Sequence, residues 1–159
     1  MRVAKNTFFI LLLGILFAGC GPKVIHEEKI QLDEVWTYSD QYDFSFDVTD
    51  TMPAYDIILN VEHDKFFPYQ NIYTKINTRF PNNKDAEHVI SLNLTDNENK
   101  WVGDCGSKYC TAALVLSEKI YFSLPGKYVI SLKQYGRTDS LAGVKSLQLL
   151  VQETEKQNQ

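Results

Sequence analysis

No apolar run in this sequence is long enough to cross a bilayer as a helix, cysteine and histidine are scarce, and positive charge is not in excess. The longest uncharged apolar stretch, Phe8 to Phe17, has ten residues, about half of the ~20 that a spanning helix needs. Sixteen Lys and Arg against twenty Asp and Glu leave no basic footprint for nucleic acid. The three histidines, His26, His63 and His88, show no metal-ligand spacing. The segment from Asp96 to Asp104 alternates oxygen ligands but lacks the glycine and terminal glutamate of an EF-hand loop. No G-x-S-x-G elbow, P-loop or H-E-x-x-H motif is present. These shortages predict a chain with no catalytic residues, no metal, no cofactor and no small-molecule substrate.

What is present begins with Arg2 and Lys5 ahead of the short apolar run, followed by Ala18-Gly19-Cys20. A basic start, a short apolar core and small residues form a secretory signal. Phe17-Ala18-Gly19-Cys20 resembles the bacterial lipobox, departing from it at Phe17, where leucine is usual. The resemblance implies that residues 1–19 are a lipoprotein signal peptide and that Cys20 becomes the lipid-bearing first residue. Two or three acyl chains anchor stably, whereas one binds marginally. Loss of Arg2 and Lys5 with the leader takes the formal charge from −4 to −6.

The remaining chain is one domain of ordinary size. Residues 20–33 are mostly polar and predict an extended tether, residues 34–153 the folded domain, and residues 154–159 a disordered tail. Within the domain the apolar period is two. Phe44, Phe46 and Val48 alternate with polar residues, as do Tyr55, Ile57, Leu59 and Val61, then Ile90, Leu92 and Leu94, then Tyr128, Ile130 and Leu132. Further β-branched or aromatic runs lie at 71–80, 111–116, 119–123 and 144–151. Alternation of this kind marks strands with one buried face. Turn residues punctuate them at Thr51-Met52-Pro53, Pro81-Asn82-Asn83-Lys84, Asp96-Asn97-Glu98-Asn99 and Pro125-Gly126. The fold predicted is all-β, a single antiparallel sandwich whose topology is Ig-like or jelly-roll. The aromatic content of 13% fits strand formers filling a core, with an aromatic binding surface as the other use.

With Cys20 lipidated, Cys105 and Cys110 remain, close together in a loop containing Gly106 and Ser107. In an oxidising envelope compartment nearby thiols pair, and closing so small a ring stabilises by roughly 2 kcal/mol on the chain-entropy account. A redox pair wants C-x-x-C at a helix start, and a zinc site wants two more ligands. Cys105 and Cys110 are therefore predicted to form a structural disulfide.

Three stretches, taken in order, resemble one family, the GldH gliding-motility lipoproteins of the Bacteroidota. They are Phe67-Pro68-Tyr69-Gln70-Asn71-Ile72-Tyr73, then Trp101-Val102-Gly103, then Leu124-Pro125-Gly126-Lys127-Tyr128 with Gln134, Arg137 and Leu141-Ala142-Gly143-Val144. With the lipobox, the resemblance spans nearly the whole chain. It departs at Gly136, where a bulky apolar residue precedes the arginine in the family, and in the Cys105–Cys110 loop. Gln134 and Arg137 are expected where a strand leaves the sheet, with long side chains in reach of loop carbonyls. Segment 67–73 reads equally as a strand start with core aromatics and as a protein-docking edge made of Pro68, Tyr69, Asn71 and Tyr73 with Arg137.

The resemblance implies a non-catalytic, membrane-anchored envelope lipoprotein of the gliding motility and type IX secretion apparatus. Its partners would be the membrane, through the lipid, and other envelope proteins of that machinery. Gly21 after the cysteine, Lys23 nearby and no strongly acidic start imply the outer membrane, facing the periplasm and not the cell surface. A glycan-binding sandwich accessory to polysaccharide uptake is the alternative, marked by an exposed platform of Trp36, Trp101 or Tyr109. Asp50-Thr51-Met52 and Asp139-Ser140-Leu141 match the O-glycosylation pattern of exported proteins in that phylum, which makes Thr51 and Ser140 candidate acceptors.

Overall fold

The computed structural model describes residues 21–154; residues 1–19, read as a signal peptide, Cys20, read as the lipidation site, and residues 155–159 lie outside that range. Among the described residues eleven strands follow one another: β1 (Val24–Gln31), β2 (Val35–Trp36), β3 (Tyr42–Val48), β4 (Tyr55–Asp64), β5 (Asn71–Arg79), β6 (Asp85–Asn93), β7 (Asp104–Cys105), β8 (Tyr109–Ile120), β9 (Gly126–Gln134), β10 (Leu141–Ala142) and β11 (Val144–Glu153). They build a five-stranded sheet ordered β1-β11-β4-β8-β7, a four-stranded sheet ordered β3-β9-β5-β6, and a β2-β10 pair. All pairings are antiparallel. The all-β sandwich predicted from period-two alternation is the fold observed.

The alternation turns directly into layers. Phe44, Phe46 and Val48 of β3 and Tyr128, Ile130 and Leu132 of β9 are buried on one inner face, opposed by Leu59, Val61, Leu147 and Leu149 on the other. Full burial of each such side chain contributes about 2 kcal/mol relative to leaving it in water. An aromatic cluster closes one end, where Phe122 packs 4.8 Å from Tyr128 and 5.2 Å from Tyr55.

Three sequence expectations need correcting. The segment read as tether contains β1, paired with β11 from Val24 to Gln31. Its polarity misleads because an edge strand buries only part of one face: Ile25, Ile30 and Leu32 reach the core. Glu27 and Lys29 point outward instead, bonded to Gln148 and Glu62. The folded unit therefore starts near residue 24, not 34. The runs at 111–116 and 119–123 do not form two strands, because β8 runs unbroken to Ile120. The polar interruption at Ser117-Glu118-Lys119 is absorbed by register irregularities against β4 and a positive φ of 51° at Lys119. Thr154, assigned to the tail, is fastened by its N–H to Ala54 O (2.8 Å) and its hydroxyl to Asp56 Oδ1 (2.9 Å).

Candidate functional site

Two glycines of the recognised stretches are fixed by geometry. Gly103 sits at φ +90°, and a Cβ there would lie 2.1 Å from Thr111 O. Gly143 sits at φ +97°, with its Cβ position 3.0 Å from the Phe67 ring. Neither position accepts a side chain. Trp101 is half-buried beside His63 (ring centroids 4.6 Å apart), and its indole N–H donates to Lys65 O at 3.0 Å. His63 is fully buried, with Nδ1 2.9 Å from Asp64 O. The tryptophan-glycine motif is thus a packing device.

The region around Gln134 is different. Gln134 ends β9 with its side chain buried, and its carboxamide organises the loop that follows. Nε2 donates to Thr138 O (3.2 Å) and Asp139 O (3.0 Å), while Oε1 accepts from Gly136 N–H at 2.9 Å. The sequence placed Gln134 in reach of loop carbonyls, and that is its role. Gly136 fits the tight wrap, since a Cβ would stand 3.2 Å from Gln134 Oε1. From the other side, Tyr38 clamps the same loop: its hydroxyl donates to Gly136 O and its N–H to Asp139 Oδ1, both at 2.8 Å. Hydrogen bonds from the Thr37 N–H and hydroxyl hold the neighbouring Asp40 carboxyl below its ordinary range. Leu141 is then pinned to Trp36 by the β2-β10 pair.

This loop and the start of β5 enclose a cleft of about 340 Å³, lined by Tyr69, Asn71, Ile72, Tyr73, Gln134, Gly136, Arg137, Thr138 and Leu141. Four of the five residues singled out for docking, Tyr69, Asn71, Tyr73 and Arg137, meet there although they come from segments more than sixty positions apart. Pro68 is exposed in the preceding turn and does not line it. Tyr69 stands edge-on to buried Phe67 (5.5 Å). Asn71 Nδ2 donates to Ser91 Oγ at 2.6 Å. Arg137 is exposed and forms no ion pair among the described residues.

The remaining candidates fall elsewhere. Cys105 and Cys110 face each other across the β7–β8 pair and are disulfide-bonded. Trp36 is only 1% exposed, so it offers no platform to a ligand; Tyr109 is exposed, on the disulfide hairpin. Ser140 is exposed just before β10, and Thr51 is half-buried in the loop after β3. Among the described residues, no group of three or more His, Cys, Asp or Glu is placed to hold a metal. Sequence reading missed Thr138 in the cleft and Tyr38 and Tyr135 beside it; the signal available was the Lys133, Tyr135 alternation across the end of β9.

A family model described as GldH lipoprotein matches residues 23–149. The gliding motility lipoprotein GldH homolog of Christiangramia forsetii is 25% identical over 149 residues, covering 93% of this chain and 91% of the relative. The gliding motility lipoprotein GldH of Flavobacterium johnsoniae is 22% identical over 149 residues, covering 93% and 92%. Among solved structures, one of the infectious bursal disease virus Gx strain is matched at a TM-score of 0.28 and 10% identity, over 84% of this chain and 34% of that one. A likeness that low says nothing about function. The family match covers most of the domain and all three recognised stretches: the chain belongs to the GldH lipoprotein family.

Proposed function

We propose that this chain is a non-catalytic envelope lipoprotein of the gliding motility and type IX secretion-associated apparatus. In this reading it is anchored through Cys20 to the outer membrane, faces the periplasm, and docks another envelope protein in the Tyr69–Arg137 cleft. The observation that carries the docking site is the convergence of Tyr69, Asn71, Tyr73 and Arg137 on one concave surface. Exposed aromatics beside an arginine are what protein interfaces select as anchors. The relatives named for gliding motility support the process, and a signal peptide ending at a lipobox supports the anchor. Ser140 and Thr51 remain proposed O-glycan acceptors; a mass equal to the lipidated polypeptide alone rejects both.

The test is complementation of a deletion strain, scored for surface spreading and secretion. Wild type restores both. Cys20→Ala leaves unacylated protein and fails. Tyr69→Ala/Arg137→Glu fails while being present at normal level and acylated. Full rescue by that double variant refutes the cleft, and a deletion without effect on spreading or secretion refutes the assignment to the apparatus.

A further inference from the structure

Beside the docking cleft, on the solvent face of the four-stranded sheet, lies a second depression of about 450 Å³ lined by Tyr38, Lys75, Lys133, Gln134, Tyr135 and Gly136. Its floor follows from strand register. Lys75 of β5 is directly opposite Lys133 of β9, and because the flanking Thr74, Leu132 and Gln134 are buried, both lysines point to solvent. One step along, the Tyr135 N–H donates to Tyr73 O at 2.7 Å, so Tyr135 and Tyr73 stand side by side on the same face. Tyr38 (43% exposed) and Tyr135 (55%) line the depression, while Tyr69 (45%) and Tyr73 (48%) belong to the adjoining cleft.

Like charges placed directly across a ladder repel, and the charges nearby compensate only one of the two. Lys75 Nζ reaches Glu87 at 3.0 Å and lies 5.2 Å from the Tyr135 ring centroid. Lys133 forms no ion pair among the described residues. The acid diagonal to it, Asp43, accepts the Gln41 amide instead. A domain whose formal charge is −6 after loss of the leader therefore presents an uncompensated cation here, with Arg137 at the rim of the adjoining cleft.

We propose that this depression binds an anionic glycan. The Tyr38 and Tyr135 rings offer faces for the C–H side of a pyranose, and the unpaired Lys133 ammonium, with Lys75 (shared with Glu87) beside it, offers positive charge for its carboxylate or phosphate. Buried Gln134 and the Tyr38 clamp keep the wall rigid, which lowers the ordering cost of binding. Charge complementarity selects this occupant: a neutral sugar leaves Lys133 uncompensated, and a hydrophobic segment leaves both ammonium groups facing apolar surface. The site goes beyond the docking cleft, with which it shares only Gln134 and Gly136.

The experiment titrates the full chain, purified from membranes in detergent, with three probes: oligogalacturonate, phosphorylated core oligosaccharide released from lipopolysaccharide, and neutral malto-oligosaccharide. Binding of either anionic probe but not the neutral one is expected, and which probe binds distinguishes a carboxylate from a phosphate source. Added salt weakens it. Lys133→Glu and Tyr135→Ala each weaken it about ten-fold or more. Lys108→Glu, in the β7–β8 hairpin of the other sheet, leaves it unchanged, and circular dichroism of each variant reports folding. No binding of either anionic probe, equal binding of the neutral probe, or binding indifferent to Lys133→Glu overturns the proposal. So does a polyglutamate peptide that binds as tightly through the same residues, since it would assign the surface to an acidic protein segment. Loss of glycan binding with normal motility in the Lys133→Glu strain supports the glycan site independently of the docking reading, because Lys133 is outside the cleft.

Discussion

On the outer face of the five-stranded sheet, Glu62 accepts from Lys29 Nζ (2.6 Å) and Ser146 Oγ (2.9 Å), Gln148 donates to Glu27 (2.7 Å), and Asn60 donates to Gln148 (3.1 Å). On the outer face of the four-stranded sheet, two lysines oppose each other and two tyrosines stand exposed beside them. The inner faces are alike, both filled by alternating Leu, Phe, Val and Tyr. What separates the two sheets is whether their polar side chains satisfy one another. In the first they do, linking β1, β4 and β11. In the second Lys75 pairs with Glu87 and Asn71 with Ser91, but Lys133 and Arg137 form no ion pair among the described residues and Tyr73 and Tyr135 stand exposed. Binding surfaces are marked by groups that the fold itself does not use.

The likeness of the inner faces is the first thing to break. Leu149→Ala in β11 and Leu132→Ala in β9 each remove a fully buried side chain. Each should cost roughly 3 kcal/mol, lowering the melting temperature by about 10 °C in a domain of this size. A large inequality between the two, measured by thermal unfolding, would show that one sheet carries the stability. Next in size is the Cys105→Ser/Cys110→Ser pair, which opens the β7–β8 hairpin. The expected loss is about 2 kcal/mol, with motility or secretion retained at growth temperature. Unchanged melting with lost function would make the hairpin a working element.

A smaller effect tests the wired sheet through pH. Burial holds the His26 imidazole below its ordinary 6.5, with Glu28 opposing. The hydrogen bond from Lys29, helped by Ser146, holds the Glu62 carboxyl below its ordinary 4.5. For both groups the unfolded chain binds more protons, so stability rises with pH. The His26 contribution is complete above pH 6.5 and the Glu62 contribution above pH 4.5, and each is lost as pH falls through the lower folded-state value. Both groups are near the surface, so each contributes under about 1 kcal/mol. Glu62→Gln should flatten the acid limb below pH 4.5, and His26→Phe the limb just below pH 6.5. Urea midpoints across pH would reveal either. Smallest of all is the stability change from Tyr73→Ala/Arg137→Ala, expected within about 0.5 kcal/mol. A change of several kcal/mol in urea would mean that the cleft is structural.

The central strands were legible because a strand with one buried face writes its alternation into the sequence, as β3 and β4 do residue by residue. The edge strand β1 was not, because Glu27, Lys29 and Gln31 on its outer side outnumber the Ile25 and Ile30 that anchor it. The two-residue strands β2, β7 and β10 are too short for any period. Four cleft residues were reachable through the family resemblance. Tyr38 and the Lys75–Lys133 pair were not, since they depend on which strands become neighbours, and β5 lies next to β9 only after a long excursion of chain.

The most direct test places a photo-crosslinking amino acid at Tyr73 on one sheet and, separately, at Gln148 on the other, in cells that carry the chain. Both positions face outward on interior strands, β5 and β11, so the comparison sets one outer face against the other. Adducts with an envelope partner from position 73 and none from position 148 are predicted. Adducts from position 148 alone, or the same adducts from both, would contradict the division of labour between the sheets.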